Sequence, residues 1–141
     1  MLELFTEIYK LEPCAEQGEI DKLLLWLKNN SFPICDLPED YLELLKESNG
    51  GGFLKGEREY QMLSISEIMD FYEIYSFSEF MPYALPFAMD GCGDFYLFNL
   101  RWEDTNVYRV PANDLDWEEY NSFAVAFSFK DCIINGCTTI F

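Results

Sequence analysis

The spacing of apolar residues changes after Pro82, and this change limits the possible folds more than any other feature of the sequence. Before Pro82, apolar residues recur at the three- and four-residue intervals of amphipathic helices. After it, short apolar runs alternate with turns rich in Gly, Asp and Asn. Helices followed by strands are typical of an α+β domain. We therefore predict a single domain over 1–141, with a mixed, mainly antiparallel sheet and helices packed around it.

Boundary signals place the elements of the first part. Pro38 fits the first position of a helix, where its missing N–H costs nothing. Ser64 and Glu67 have the spacing of a capping box, which marks the start of another helix. The predicted elements are a helix over 16–29, a helix over 38–49, a flexible turn at 51–52, a strand over 60–63 and a helix from 64 onward.

Three short strands are predicted after Pro82, over 85–89, 95–100 and 107–110. The segment that follows, 123–133, fits two structures. Alternate residues of 123–129 are apolar, as in a strand, but apolar residues of 123–133 also share one face of a helix. Periodicity alone leaves both interpretations open.

The net charge of −17, from 26 acidic and 9 basic residues, restricts the class of partner. Residues 1–58 contribute −6 (12 acids, 6 bases) and residues 59–141 contribute −11 (14 acids, 3 bases). Nucleic acids and anionic membranes carry the same sign, so we expect neither as a partner. An acidic field favours encounter with a basic protein, although it also serves solubility alone.

The cysteines and the N-terminal sequence favour the cytoplasm. The first residues lack the basic and apolar regions of a signal peptide, and no apolar stretch reaches the roughly 18 residues of a membrane span. The number of cysteines is odd and no C-x-x-C pair occurs, so we expect free thiols, most of them buried. The cysteines are Cys14, Cys35, Cys92, Cys132 and Cys137.

The sequence contains no histidine, which removes most catalytic and zinc-binding arrangements. The remaining enzyme-like feature is Asp90 to Asp94, where two carboxylates flank a glycine-rich turn. Such carboxylates can hold Mg²⁺ or Ca²⁺, but Asp and Gly are also ordinary turn formers. We predict a turn, with no catalytic residues, no metal and no cofactor.

Two acidic segments that each contain a tryptophan are candidate partner-binding loops. Aromatic side chains dominate interface energetics, and carboxylates around them would favour a basic partner. Solvated acidic loops are the alternative interpretation. The candidate residues are Trp102, Glu103, Asp104, Asp114, Asp116, Trp117, Glu118 and Glu119, with Asp90 and Asp94 as a competing surface.

Five short motifs follow one another along the chain: LPEDY at 37–41, LLKESNGG at 44–51, LSISEI at 63–68, FAMDGCGDFY at 87–96 and AFSFKDCI at 126–133. As an ordered set they resemble the SUKH superfamily of Smi/Knr-type domains. The likeness extends over about 16–133 and leaves 134–141 as a tail without a counterpart. On this likeness the ambiguous late segment is assigned to a helix.

The resemblance implies a mixed sheet with surrounding helices and no catalytic activity. Many bacterial members are immunity proteins that neutralise a toxin, often a nuclease or deaminase, and fungal members are interaction modules. We therefore predict a protein-binding module that neutralises a basic toxin through its acidic face. A regulatory scaffold for an endogenous protein or peptide is the alternative.

Overall fold

A computed structural model describes residues 1–136, which form seven strands and five α-helices. A short 3-10 helix, Leu2–Leu4, precedes the first strand. The strands are β1 (Glu7–Leu11), β2 (Gly51–Lys55), β3 (Arg58–Met62), β4 (Ala84–Met89), β5 (Asp94–Asn99), β6 (Val107–Pro111) and β7 (Phe123–Ala126). The helices are α1 (Gln17–Asn29), α2 (Glu39–Leu45), α3 (Ile65–Ile74), α4 (Phe77–Phe80) and α5 (Phe129–Asn135).

The strands form one sheet in chain order, and each strand pairs antiparallel with the next. The predicted α+β class is confirmed, and within 1–136 the pairing is antiparallel throughout. α3 and α4 connect β3 to β4, while short turns connect β2 to β3 and β4 to β5. The strands β1 and β7 are the two edges of the sheet.

Helices cover both faces of the central strands β4 and β5. On one face, Phe95 of β5 makes edge contacts with Phe71 of α3 and Phe77 of α4. On the other face, Phe98 of β5 makes an edge contact with Tyr41 of α2. This two-sided burial explains why β4 and β5 are continuous apolar runs without alternation.

The predicted helices and later strands are confirmed, with boundary shifts of a few residues. The turn predicted at Gly51 and Gly52 is wrong, because these glycines begin β2. β1 was not predicted, since all five of its residues are exposed and its sequence carries no alternation. The late segment is a strand over Phe123–Ala126 and a helix over Phe129–Asn135, so its assignment to a single helix is wrong for the first part.

The cysteines differ from expectation in burial. Cys14, Cys35 and Cys92 are free, as predicted, but they are exposed, and of the four cysteines within 1–136 Cys132 alone is buried. All three exposed cysteines lie in connecting segments outside the helices and strands. Cys137 and the rest of the predicted tail after Gly136 lie outside the described residues.

Replacing Tyr41 by Phe is expected to raise the free energy of unfolding by about 1 kcal/mol. The Tyr41 hydroxyl is buried, and it has no hydrogen-bond partner within the described chain. Burial also raises its pKa, so the group stays neutral. Urea unfolding of both proteins measures the difference.

The matched control is Tyr72→Phe, because the Tyr72 hydroxyl accepts a hydrogen bond from the Tyr83 backbone N–H at 3.1 Å. This variant should lose about 1 kcal/mol. Equal losses in both variants would mean that the Tyr41 hydroxyl has a stabilising partner after all.

Candidate functional site

The predicted partner-binding residues occupy three loops at two ends of the sheet. Asp90 and Asp94 border the β4–β5 turn, whereas Trp102 lies beyond the opposite end of β5. The length of β5 places these two groups about 17 Å apart along the strand. The β6–β7 loop starts beside the turn, since the Ala112 N–H donates to the Gly93 carbonyl. Because Asp94 and Trp102 lie at opposite ends of β5, the turn is a separate surface from the one that contains the tryptophans.

Asp90 stabilises the turn from inside. Its Oδ1 accepts hydrogen bonds from the backbone N–H groups of Cys92 at 2.8 Å and Asp94 at 2.9 Å. Asp94 faces Arg109, with 3.4 Å between Oδ2 and Nε. Burial, and then the nearby Asp90 charge, raise the pKa of Asp94. Both carboxylates thus have local structural roles, and within 1–136 no group of three or more Cys, Asp or Glu side chains is placed to hold a metal ion.

Arg101 brings the two predicted tryptophans together. Its guanidinium carbon lies 4.1 Å from the ring centre of Trp102 and 3.7 Å from that of Trp117. Trp102 is 53% exposed. Trp117 is half-buried and fixed, because its Nε1–H donates to the Pro82 carbonyl at 2.9 Å and its ring meets Tyr108 edge-on. Two residues 15 positions apart in sequence therefore form one cation–aromatic stack.

A polar network around the buried Asn99 holds Arg101 in place. Its Nε–H donates to Oδ1 of Asn99 at 3.0 Å, and the fully buried Asn99 donates in turn to Oδ2 of Asp104 at 3.1 Å. The Tyr108 hydroxyl donates to the same Asp104 oxygen at 2.5 Å. Burial and this hydrogen bond raise the pKa of Tyr108 to about 12. Asp104, predicted as a contact residue, is engaged in supporting the stack.

Exposed acids and aromatic rings surround the stack. Glu118 and Glu119 line a concavity of about 750 Å³ together with Tyr120, which is 73% exposed. A second concavity, of about 530 Å³, lies between Trp102 and the exposed Phe127. We refer to this surface as the tryptophan face; it consists of Arg101, Trp102, Glu103, Trp117, Glu118, Glu119, Tyr120 and Phe127.

The remaining acids of the β6–β7 loop divide between the two ends of the sheet. Asp116 is half-buried and accepts hydrogen bonds from the Glu118 N–H and, at 3.3 Å, from the Tyr120 hydroxyl. Asp114 is exposed and lies with Tyr75 and Phe80 in a different concavity. The tryptophan face therefore includes part of the predicted loop, with Asp116 supporting it and Asp114 outside it.

Sequence reasoning missed four residues of this region, Arg101, Tyr108, Tyr120 and Phe127. Arg101 is directly followed by Trp102 in an acidic segment, and this adjacency was the available signal for a cation–aromatic contact. Tyr120 follows the predicted acids immediately. The position of Phe127 depends on where β7 ends, which the sequence left ambiguous.

The protein is an α+β domain whose antiparallel sheet has helices on both faces. Its candidate site is an acidic and aromatic surface that lies on loops. The sequence model of the SMI1 / KNR4 family (SUKH-1) matches residues 32–135, and the chain belongs to this family. The predicted resemblance to the SUKH superfamily is thereby confirmed. A comparison with individually curated proteins gives no significant match. Within the described residues, none of the helices has the length and apolar composition needed to cross a membrane.

Proposed function

We propose that this protein is a non-catalytic immunity protein that neutralises a basic toxin of the nuclease or deaminase class by binding it through the tryptophan face. Family membership supports a protein partner. The observation that carries the proposal is the Arg101 stack, which presents Trp102 and Trp117 inside a border of exposed carboxylates. Its site of action in this proposal is the bacterial cytoplasm, where exposed thiols stay reduced.

The tryptophan face has the features of an energetic centre for binding. Tryptophan and tyrosine are the residues most enriched at positions that dominate binding energy. Trp117 is already fixed by its hydrogen bond to Pro82, so little side-chain freedom is lost when a partner binds. The Trp117 side chain of the tryptophan face therefore has a fixed position before the partner binds.

The charge of the protein determines which partner fits. An active site that holds phosphate groups carries basic side chains, and an acidic face can occupy it. Glu103, Glu118 and Glu119 are exposed and, within 1–136, none of them pairs with a Lys or Arg side chain. Their charges are available to speed encounter with a basic surface and to set its orientation.

The proposal is tested by capture followed by inhibition. The tagged protein is incubated with lysate of its source organism, washed in salt steps, and the eluted proteins are identified by mass spectrometry. A captured basic protein is then produced alone and assayed for nucleic-acid cleavage or deamination, with and without an equimolar amount of this protein. We expect release by salt and loss of the toxin's activity in the mixture.

Trp102→Ala and Leu25→Ala are the matched variants for this experiment. Both side chains are just over half exposed, but Leu25 lies on α1 and lines none of the concavities of the tryptophan face. Trp102→Ala should weaken capture by roughly 30-fold, and Leu25→Ala should not. Recovery of regulatory proteins without toxic activity would favour the scaffold function instead.

A further inference from the structure

Arg101 uses only part of its hydrogen-bonding capacity inside the protein. Its Nε–H donates to Asn99, but within 1–136 its two Nη atoms meet no acceptor and no carboxylate at ion-pair distance. A guanidinium has five N–H donors, all in the plane of the group. Four of the five are therefore unused by the described residues.

The surrounding rings leave the edge of the guanidinium accessible. The guanidinium carbon lies over both indole rings, 4.1 and 3.7 Å from their centres, and an arginine in such a contact stacks its flat face on the ring and keeps its N–H edge free. Arg101 also lines both concavities of the tryptophan face. Partial burial lowers its pKa, because the charge is poorly solvated at this position. A planar acceptor group that enters either concavity would accept hydrogen bonds from the Arg101 guanidinium. These bonds would compensate for the water that the charge lacks.

We propose that Arg101 receives a carboxylate of the bound partner. A carboxylate matches the planar fork of a guanidinium and accepts two parallel hydrogen bonds from it. Arg101 is the single cation of the tryptophan face, while Glu103, Glu118 and Glu119 are negative. The partner surface that complements this pattern is a carboxylate surrounded by lysines or arginines.

This inference rests on the proposed function and makes it more specific. A metal-dependent nuclease site has carboxylates at its centre and basic side chains around them that hold the phosphates. The tryptophan face would then cover the catalytic carboxylates themselves. A toxin whose active site lacks a central carboxylate would not match Arg101.

A small-molecule probe tests the carboxylate site without the toxin. The protein is titrated with 3-phenylpropionate or with 3-phenylpropionamide, which differ only in the charged group. The Arg101 Nε–H and the indole Nε1–H signals of Trp102 and Trp117 are followed by NMR. We expect saturable shifts with the acid bound about three to five times more tightly than the amide, as for an accessible ion pair.

In Arg101→Gln the preference for the acid should disappear. Equal affinities for acid and amide, or no response up to the solubility limit of the acid, would overturn the inference.

The captured partner provides the second test. Arg101→Glu should abolish binding, and changing one partner carboxylate to lysine should restore it. Restoration distinguishes direct contact from a role in which Arg101 merely spaces the two tryptophans, since spacing would not depend on the partner's charge. If Glu118→Lys weakens binding while Arg101→Gln leaves it unchanged, the carboxylate site is wrong and the proposed function stands. If neither variant changes binding, both are wrong.

Discussion

Replacing both Glu118 and Glu119 by lysine is expected to weaken binding of the basic partner by about 100-fold, because two attractive contacts become repulsive. Both side chains are exposed and border the concavity that contains Arg101 and Trp117. Within 1–136 the hydrogen bonds that hold this part of the loop are accepted by the Asp116 carboxylate and by neither of these side chains. The thermal unfolding temperature should therefore change little.

The matched control is the double variant Glu7→Lys, Glu57→Lys. These glutamates are also exposed, but they lie on β1 and in the β2–β3 turn, at the opposite edge of the sheet from β7. Each double variant changes the net charge from −17 by +4, to −13. Stopped-flow association at several salt concentrations separates a local effect from a change in total charge. Equal slowing in both variants would mean that net charge alone steers the partner, and unchanged binding in the first variant would exclude the tryptophan face.

Local signals predicted those elements whose determinants lie within a few residues. The capping box before α3 is an example: the Glu67 N–H donates to the Ser64 hydroxyl at 3.2 Å, and the Ser64 N–H donates to the Glu67 carboxylate at 2.8 Å. β1 and β2 lack such signals. β1 is exposed along its length, and β2 begins with glycines, whose composition indicates a turn. Pairing between strands is what orders them: β1 pairs with β2, and β2 also pairs with β3.

The candidate site was predictable in its composition but not in its geometry. The acids and tryptophans of the two loops are visible in the sequence, yet their convergence depends on the Arg101 stack and on the Trp117 bond to Pro82. Both contacts arise from tertiary packing. The β6–β7 loop starts beside the β4–β5 turn, and it brings Trp117 to Arg101 and Pro82 at the other end of the sheet. The support that Asn99 and Tyr108 give to Asp104 also became visible only in the structure.

The motif at 44–51, one of those that carried the family resemblance, stabilises the fold instead of forming the site. The buried Ser48 hydroxyl donates to the Gly50 carbonyl at 2.7 Å and accepts from the Glu12 N–H at 3.0 Å. Asn49 accepts a hydrogen bond from the Ile65 N–H at 2.9 Å through its side chain. One short segment thus connects the end of α2 to the chain after β1 and to the start of α3.

Gly51→Ala is therefore expected to lower the free energy of unfolding by about 2–4 kcal/mol. Gly51 has φ +115, in the region that favours glycine, and it pairs with Leu11 at the end of β1. A Cβ built on it would lie 2.4 Å from the Lys10 carbonyl oxygen. That neighbour is backbone, so relief requires β1 to move away from β2.

Gly18→Ala is the matched control for this variant. Gly18 lies in the first turn of α1, and a Cβ there meets no atom within 4 Å. Alanine should stabilise this helix by up to about 1 kcal/mol.

Urea unfolding gives both free energies, and amide hydrogen exchange of 7–11 shows whether β1 opens separately in Gly51→Ala. A loss below about 1 kcal/mol with rapid exchange limited to β1 would mean that this edge strand detaches locally, without support from the rest of the sheet. A loss in the expected range with uniform exchange would mean that the glycine couples β1 to the cooperative core.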